Sequence, residues 1–146
     1  RAVRPEELPT GPRGCQRLLV AVSRGPVTRP HQVMMRLPAW VGHLQSNGFK
    51  VEKKTLSSKQ LVDVKIKNKV PEKLYSCHTA LVQGYVIEGH VPADLIHRLL
   101  KEKSPLAGLA VAGIPVGSPG MEGDNPQPYE VISFDKQGRT SVYARR

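Results

Sequence analysis

The stretch that most constrains the fold runs from Ser76 to Pro92: Ser-Cys-His-Thr-Ala-Leu-Val-Gln-Gly-Tyr-Val-Ile-Glu-Gly-His-Val-Pro. Thr79–Val82 and Tyr85–Glu88 are two short strand-like runs, and only Gln83-Gly84 separates them. A two-residue link ending in Gly, which takes positive φ at little cost, reads as the turn of an antiparallel hairpin. Pro92 is pre-set for the first turn of a following helix. The outer ends of a hairpin's strands are neighbours. Cys77-His78 lies at one of those ends and His90 just past the other, so the pattern predicts a thiol and two imidazoles gathered at one rim of a sheet.

The flanking chain supplies a mixture of helices and strands. Residues 1–37 form an atypical segment, punctuated by Pro5, Pro9, Pro12, Pro26 and Pro30, with Arg as its only basic residue type apart from His31. Mostly irregular structure is expected there, with Leu18–Val22 the one candidate strand. A helix opens at Pro38 or Ala39, with Trp40, Val41 and Leu44 on one face and Gly48 as its C-terminal cap. Phe49 and Val51 alternate with Lys50 and Glu52 as in a strand. Ser57 or Ser58 can cap a helix through about Lys69. There, Leu61, Val62 and Lys65 suit a helix, while the alternation of Val62, Val64 and Ile66 suits a strand, and periodicity leaves both open. The run from Pro92 to about Lys103 is a helix with Leu95, Ile96, Leu99 and Leu100 as its apolar stripe. Leu106 to Gly123 reads as a Gly/Pro loop. Asp135-Lys136-Gln137-Gly138 marks the turn of a last hairpin.

Composition sets the outer bounds. At 146 residues with 39% hydrophobic content, the chain is large enough for one ordinary core. No apolar run approaches the length that spans a bilayer. Leu18–Val22 is too short for that, and no small-residue cleavage site follows it, so no convincing signal peptide is read. The net charge is +10, and half of it falls before Pro38, where seven Arg face two Glu. The lysines at 50, 53, 54, 59, 65, 67, 69 and 73 read as a solvated face. Only 5% of residues are aromatic, and none is interleaved with the basic ones, which argues against nucleic acid as a partner. Two cysteines, Cys15 and Cys77, do not make a disulfide framework.

Cys77, His78, His90 and Met121 are soft donors, a set suited to Cu(I). Because neighbours on a strand face opposite sides, Cys77 is favoured over His78 as a ligand unless the strand has ended. Each donor has an ordinary structural role to set against this. Cys77 would be a small buried hydrophobe, His90 an acceptor for free N–H groups of the next helix, and Met121 core filler. Glu88 would be an exposed strand carboxylate, or else an outer partner orienting His90. His31, His43 and His97 need no function, and His97 is expected on the solvated side of its helix.

The run from Ser76 to Pro92 resembles the bacterial CopG-like copper-resistance family, which has a thioredoxin-like fold and was long filed as a domain of unknown function. Trp40-Val41-Gly42-His43-Leu44 with Gly48-Phe49, Gly117-Ser118-Pro119-Gly120-Met121-Glu122-Gly123, and Ser133-Phe134-Asp135 through Tyr143 extend the resemblance over roughly two thirds of the chain. It implies an α/β (α+β), thioredoxin-like domain over residues 38–146: a mixed central sheet with helices on both faces, plus the C-terminal hairpin. It favours helix for the ambiguous run after Ser57, and by analogy likens Val70-Pro71 to the cis-proline turn of that fold. It also implies copper as the bound ion, a periplasmic location, and other copper-resistance proteins as partners.

The chain departs from that pattern. The register of the family's Cys-x-Cys-Cys motif, before Trp40, reads Met34-Met35-Arg36-Leu37 here, and Gly113-Ile114-Pro115 replaces a Gly-Met-Pro. The expectation is a soft-metal binding protein of bacterial copper homeostasis, impaired by loss of the motif and more a binder than an enzyme. Two other classes are weighed beside it. A thiol-disulfide oxidoreductase needs a second, resolving thiol, and Cys15 and Cys77 lack that spacing. A basic nucleic-acid binder would show steep salt dependence. We hypothesise that residues 1–37 are translated from a different frame. Written as ATG-ATG-CGG-CTG, residues 34–37 hold Cys-Gly-Cys triplets one base out of phase, although a stop triplet precedes them. Codons in the source DNA that encode no such motif in either alternate frame would end this hypothesis.

Overall fold

A computed structural model describes residues 18–24, 39–76, 78–112, 115–119 and 123–146. In chain order these form β1 (Leu18–Arg24), α1 (Ala39–Ser46), β2 (Phe49–Thr55), α2 (Ser58–Lys67), a 3-10 turn (Glu72–Leu74), β3 (Thr79–Val82), β4 (Tyr85–Glu88), α3 (Ala93–Glu102), β5 (Gly108–Ala110), β6 (Glu130–Phe134) and β7 (Thr140–Arg145). The strands make one sheet in the order β2-β1-β3-β4-β5-β6-β7. The β1/β3 and β4/β5 pairs are parallel and the others antiparallel. The mixed α/β class with helices on both faces of the sheet is as the sequence led us to expect.

Local chemistry explains the main elements. The Ser57 hydroxyl accepts from the Gln60 amide at 3.2 Å, and the Ser57 amide donates to the Gln60 side chain at 3.0 Å. This reciprocal cap starts α2 as a helix and settles the ambiguity that periodicity left. Gln83 and Gly84 have φ of 47° and 87°, the paired positive values that match a tight hairpin turn to strand twist. α3 ends at Lys103, in the left-handed region, with its N–H donating to Leu99 O at 3.2 Å.

Two apolar layers sandwich the sheet. On one face Trp40, Val41 and Leu44 of α1 and Leu95, Ile96 and Leu99 of α3 cover Val20, Val22, Ala80, Val82 and Ile87. On the other, Val62 of α2 with Val70, Leu74 and Tyr75 covers Val86, Ala110 and Phe134. Burial on this scale, at roughly 25 cal/mol per Å² of apolar surface removed from water, is the main force holding the layers together.

Several expectations need correction. The expected loop from Leu106 to Gly123 contains a strand, β5, whose Gly108 leaves no room for a side chain: an added Cβ would collide with the Val86 carbonyl and lie 2.9 Å from the Phe134 ring. Pro71 leads into a 3-10 turn, not a strand, and no described peptide bond is cis, so the likeness to a cis-proline turn fails. Lys65, counted among a solvated face, is fully buried.

Candidate metal centre

The β3–β4 ladder ends at the Thr79–Glu88 pair. One further contact, from the Gly89 amide to the His78 carbonyl at 3.3 Å, lies beyond it. The strand has therefore ended before His78, and the alternation that disfavoured this residue does not apply. Gly89 has φ of 75°, and an added Cβ would lie 2.5 Å from Val111 O and 3.0 Å from Ser76 Oγ. Only glycine lets the chain turn this closely, and that turn delivers His90 beside His78.

The two imidazole centroids are 4.9 Å apart. Trp40 forms a wall beside both. Its ring stacks on His78 at 4.7 Å and lies 6.3 Å from His90, while its indole N–H donates to Val91 O at 2.9 Å and fixes the ring. His78 is 5% exposed, and neither ring nitrogen has a hydrogen-bond partner. Burial lowers its pKa to about 3, with the neighbouring His90 and Lys65 charges adding to the effect. The ring therefore stays neutral, which is the form that ligates metals. Burying a polar group without a partner costs about 1–3 kcal/mol, and two such atoms in one ring are exceptional.

His90 is 9% exposed. Its Nδ1 lies 2.7 Å from Pro119 O. A carbonyl can only accept, so Nδ1 carries the proton and the lone pair sits on Nε2. The Pro119 loop is itself pinned: the Ser118 hydroxyl donates to Pro115 O at 2.6 Å, and the Gln127 amide to Val116 O at 2.8 Å. Cys77 and Met121 lie outside the described residues. Among the described residues, no group of three or more His, Cys, Asp or Glu is gathered as a metal site; His78 and His90 are a pair.

Glu88 is fully buried, not the exposed strand carboxylate of the structural alternative. Its oxygens accept from Lys65 Nζ at 2.7 Å, the Thr79 hydroxyl at 2.6 Å and the Ser76 amide at 3.3 Å. Burial raises the carboxyl pKa, opposed by Lys65 and these bonds; burial lowers that of Lys65, opposed by Glu88. The capping role considered for His90 belongs to His43, whose Nε2 accepts from the Ala93 amide at 3.0 Å at the start of α3. His97 is half-buried rather than solvated, stacked on Phe49 at 4.4 Å. The sequence reading missed Trp40 as part of the site and Lys65 as an interior charge. A lysine four residues after Leu61 on a helix's apolar face was the available signal, since such a lysine requires a carboxylate partner.

A family profile described as "Protein of unknown function, DUF411" matches residues 74–121, the segment that carries both imidazoles and the Pro119 loop. No curated protein matches the chain. Two solved structures do. "Copper resistance protein copG- Form 2" is 38% identical with a TM-score of 0.70, covering 88% of this chain and 98% of its own. "Copper resistance protein copG- Form 1" is 37% identical with the same TM-score, covering 90% of this chain and 98% of its own. Among the described residues, no helix is long and apolar enough to cross a membrane. With this identity over nearly the whole length of both structures, the chain belongs to the CopG-like family that the run from Ser76 to Pro92 resembles.

Proposed function

We propose that this protein serves copper resistance by holding Cu(I) as cargo, with His78, His90, Cys77 and Met121 as ligands. The observation that supports this best is the His78 ring, buried and neutral with both nitrogens unpartnered, 4.9 Å from a second imidazole. A bound ion would satisfy the donor that the protein leaves bare. Nitrogen ligands of one ion lie within about 4 Å of each other, twice a metal–nitrogen bond, and the ring spacing accommodates that. One thiolate, two imidazoles and one thioether suit Cu(I) over harder cations. With Met34-Met35-Arg36-Leu37 in the register of the thiolate motif, the capacity is one ion per chain, and the copy is impaired relative to a multi-thiolate site. The periplasm is the location that this reading proposes, on the strength of the family resemblance.

Titration against a Cu(I) chelator tests the assignment. One ion per chain is expected. Cys77→Ser should abolish tight binding, His90→Ala should weaken it substantially, and Met121→Leu only modestly. Affinity should fall as pH drops below neutral, because the thiol releases a proton when it binds. Several tightly held ions, or unchanged binding in Cys77→Ser, would place the ligands elsewhere.

A further inference from the structure

We infer that the buried Lys65–Glu88 pair is a positioning device that holds His78 in place from the opposite face of the sheet; this rests on the metal-binding reading above. Glu88 holds Ser76 and Thr79, which stand two residues before and one residue after His78. It accepts from the Ser76 amide at 3.3 Å and from the Thr79 hydroxyl at 2.6 Å. Lys65 Nζ closes the ring of contacts, 2.7 Å from Glu88 and 2.7 Å from Thr79 Oγ1. Lys65, Thr79 and Glu88 are all fully buried.

The clamp and the His78 ring lie on different sides. Lys65 comes from α2, on the face where Val62, Leu74 and Tyr75 pack. His78 stacks on Trp40, whose helix covers the other face. The pair therefore acts on the metal site through the backbone. The ladder has already ended at Thr79, and beyond it, among the described residues, the backbone joins the two strands through the 3.3 Å contact between Gly89 and His78. Without Glu88, His78 would lose the restraint on its neighbours Ser76 and Thr79 and keep that bond and the Trp40 stack.

An interior ion pair is a poor source of stability, since apolar residues of similar volume often do as well or better. What this pair supplies instead is direction: two carboxylate oxygens, one held by Ser76 and one by Thr79, on either side of His78. Outer partners of this kind typically change metal affinity by about 10–100-fold when removed.

The experiment compares wild type with Lys65→Met/Glu88→Leu, which removes both charges and keeps apolar volume. Urea unfolding of the metal-free proteins should show the double variant at least as stable as wild type. Its Cu(I) affinity should nonetheless fall by about tenfold or more. The His78 ring protons, shifted in wild type by the single tryptophan stacked on them, should move toward random-coil positions in the metal-free double variant. Thr79→Val, which removes one handle and keeps the ion pair and β-branched shape, should move both readouts the same way by a smaller amount, and decides the matter if the double variant does not fold. Wild-type affinity and wild-type His78 shifts in these variants would overturn the inference and leave the pair a structural element only. If wild type itself binds no Cu(I), the metal reading fails, while the ring shifts still decide whether the clamp positions His78.

Discussion

Replacing His78 with Phe should separate what this residue does for the fold from what it does for the site. The folded pKa of His78 is about 3, against an ordinary 6.5. Between those values the unfolded chain holds more protons than the folded one. Stability is therefore complete above about pH 6.5 and is lost as pH falls towards 3. By about pH 4.5 the loss from this one group is roughly 2 pK units, or about 3 kcal/mol at 1.36 kcal/mol per unit. Phe removes the proton acceptor, both unpartnered nitrogens and none of the stacking on Trp40. Urea unfolding of the metal-free proteins, followed by circular dichroism at about pH 7 and pH 4.5, measures the effect through the midpoint at constant m-value. Acid sensitivity shared with other groups cancels in the comparison. His78→Phe should lose about 3 kcal/mol less than wild type between the two pH values. It should be no less stable at neutral pH, because two unsatisfied atoms are gone, while its Cu(I) affinity falls sharply. Gain of stability with loss of binding is the mark of a residue kept for function. Equal acid-induced losses in the two proteins would show that His78 is not the buried neutral base described.

Other outcomes follow from the same geometry. Lys65→Met alone leaves the Glu88 carboxylate buried without its cation, and should destabilise the protein by about 3–5 kcal/mol in chemical denaturation. Restoring much of that loss by adding Glu88→Leu would confirm the coupling, and additive effects would refute it. Gly89→Ala places a Cβ against Val111 O and Ser76 Oγ at positive φ. It should lower both the melting temperature and Cu(I) affinity, and a neutral result would mean the turn into His90 is slack. Insulin reduction assays should show no sustained turnover, because exchange needs a resolving thiol paired with the attacking one.

How far each element was legible in the sequence depended on how local its causes were. The β3–β4 hairpin, the Gln83-Gly84 turn, α3 and the last hairpin were all readable, because alternation, stripes and turn residues act within a few positions. β5 was hidden because three residues are too few for a pattern, and its Gly108 is there to admit the Val86 backbone, a partner in another strand. Lys65 looked solvated because the carboxylate that neutralises it stands 23 residues away. His78 was ranked below Cys77 by a rule for strand interiors, yet β3 begins at Thr79. Trp40 stacks on His78 across 38 positions of sequence, beyond the reach of any periodicity.

The two imidazoles meet through a two-residue turn, and this bears on when the site forms as well as where. Hairpins of this kind close in about 1–10 μs, while pairings between distant segments, such as β1 with β3, wait for much larger loops to close. The hairpin also leaves the ribosome before β5, β6 and β7 exist. A nascent chain can thus bring His78 and His90 together ahead of the sheet that later encloses them. An ion captured at that stage would favour the hairpin over competing collapsed states. Because the incompletely folded chain would already bind, copper would raise the equilibrium stability of the finished protein by less than its affinity alone implies.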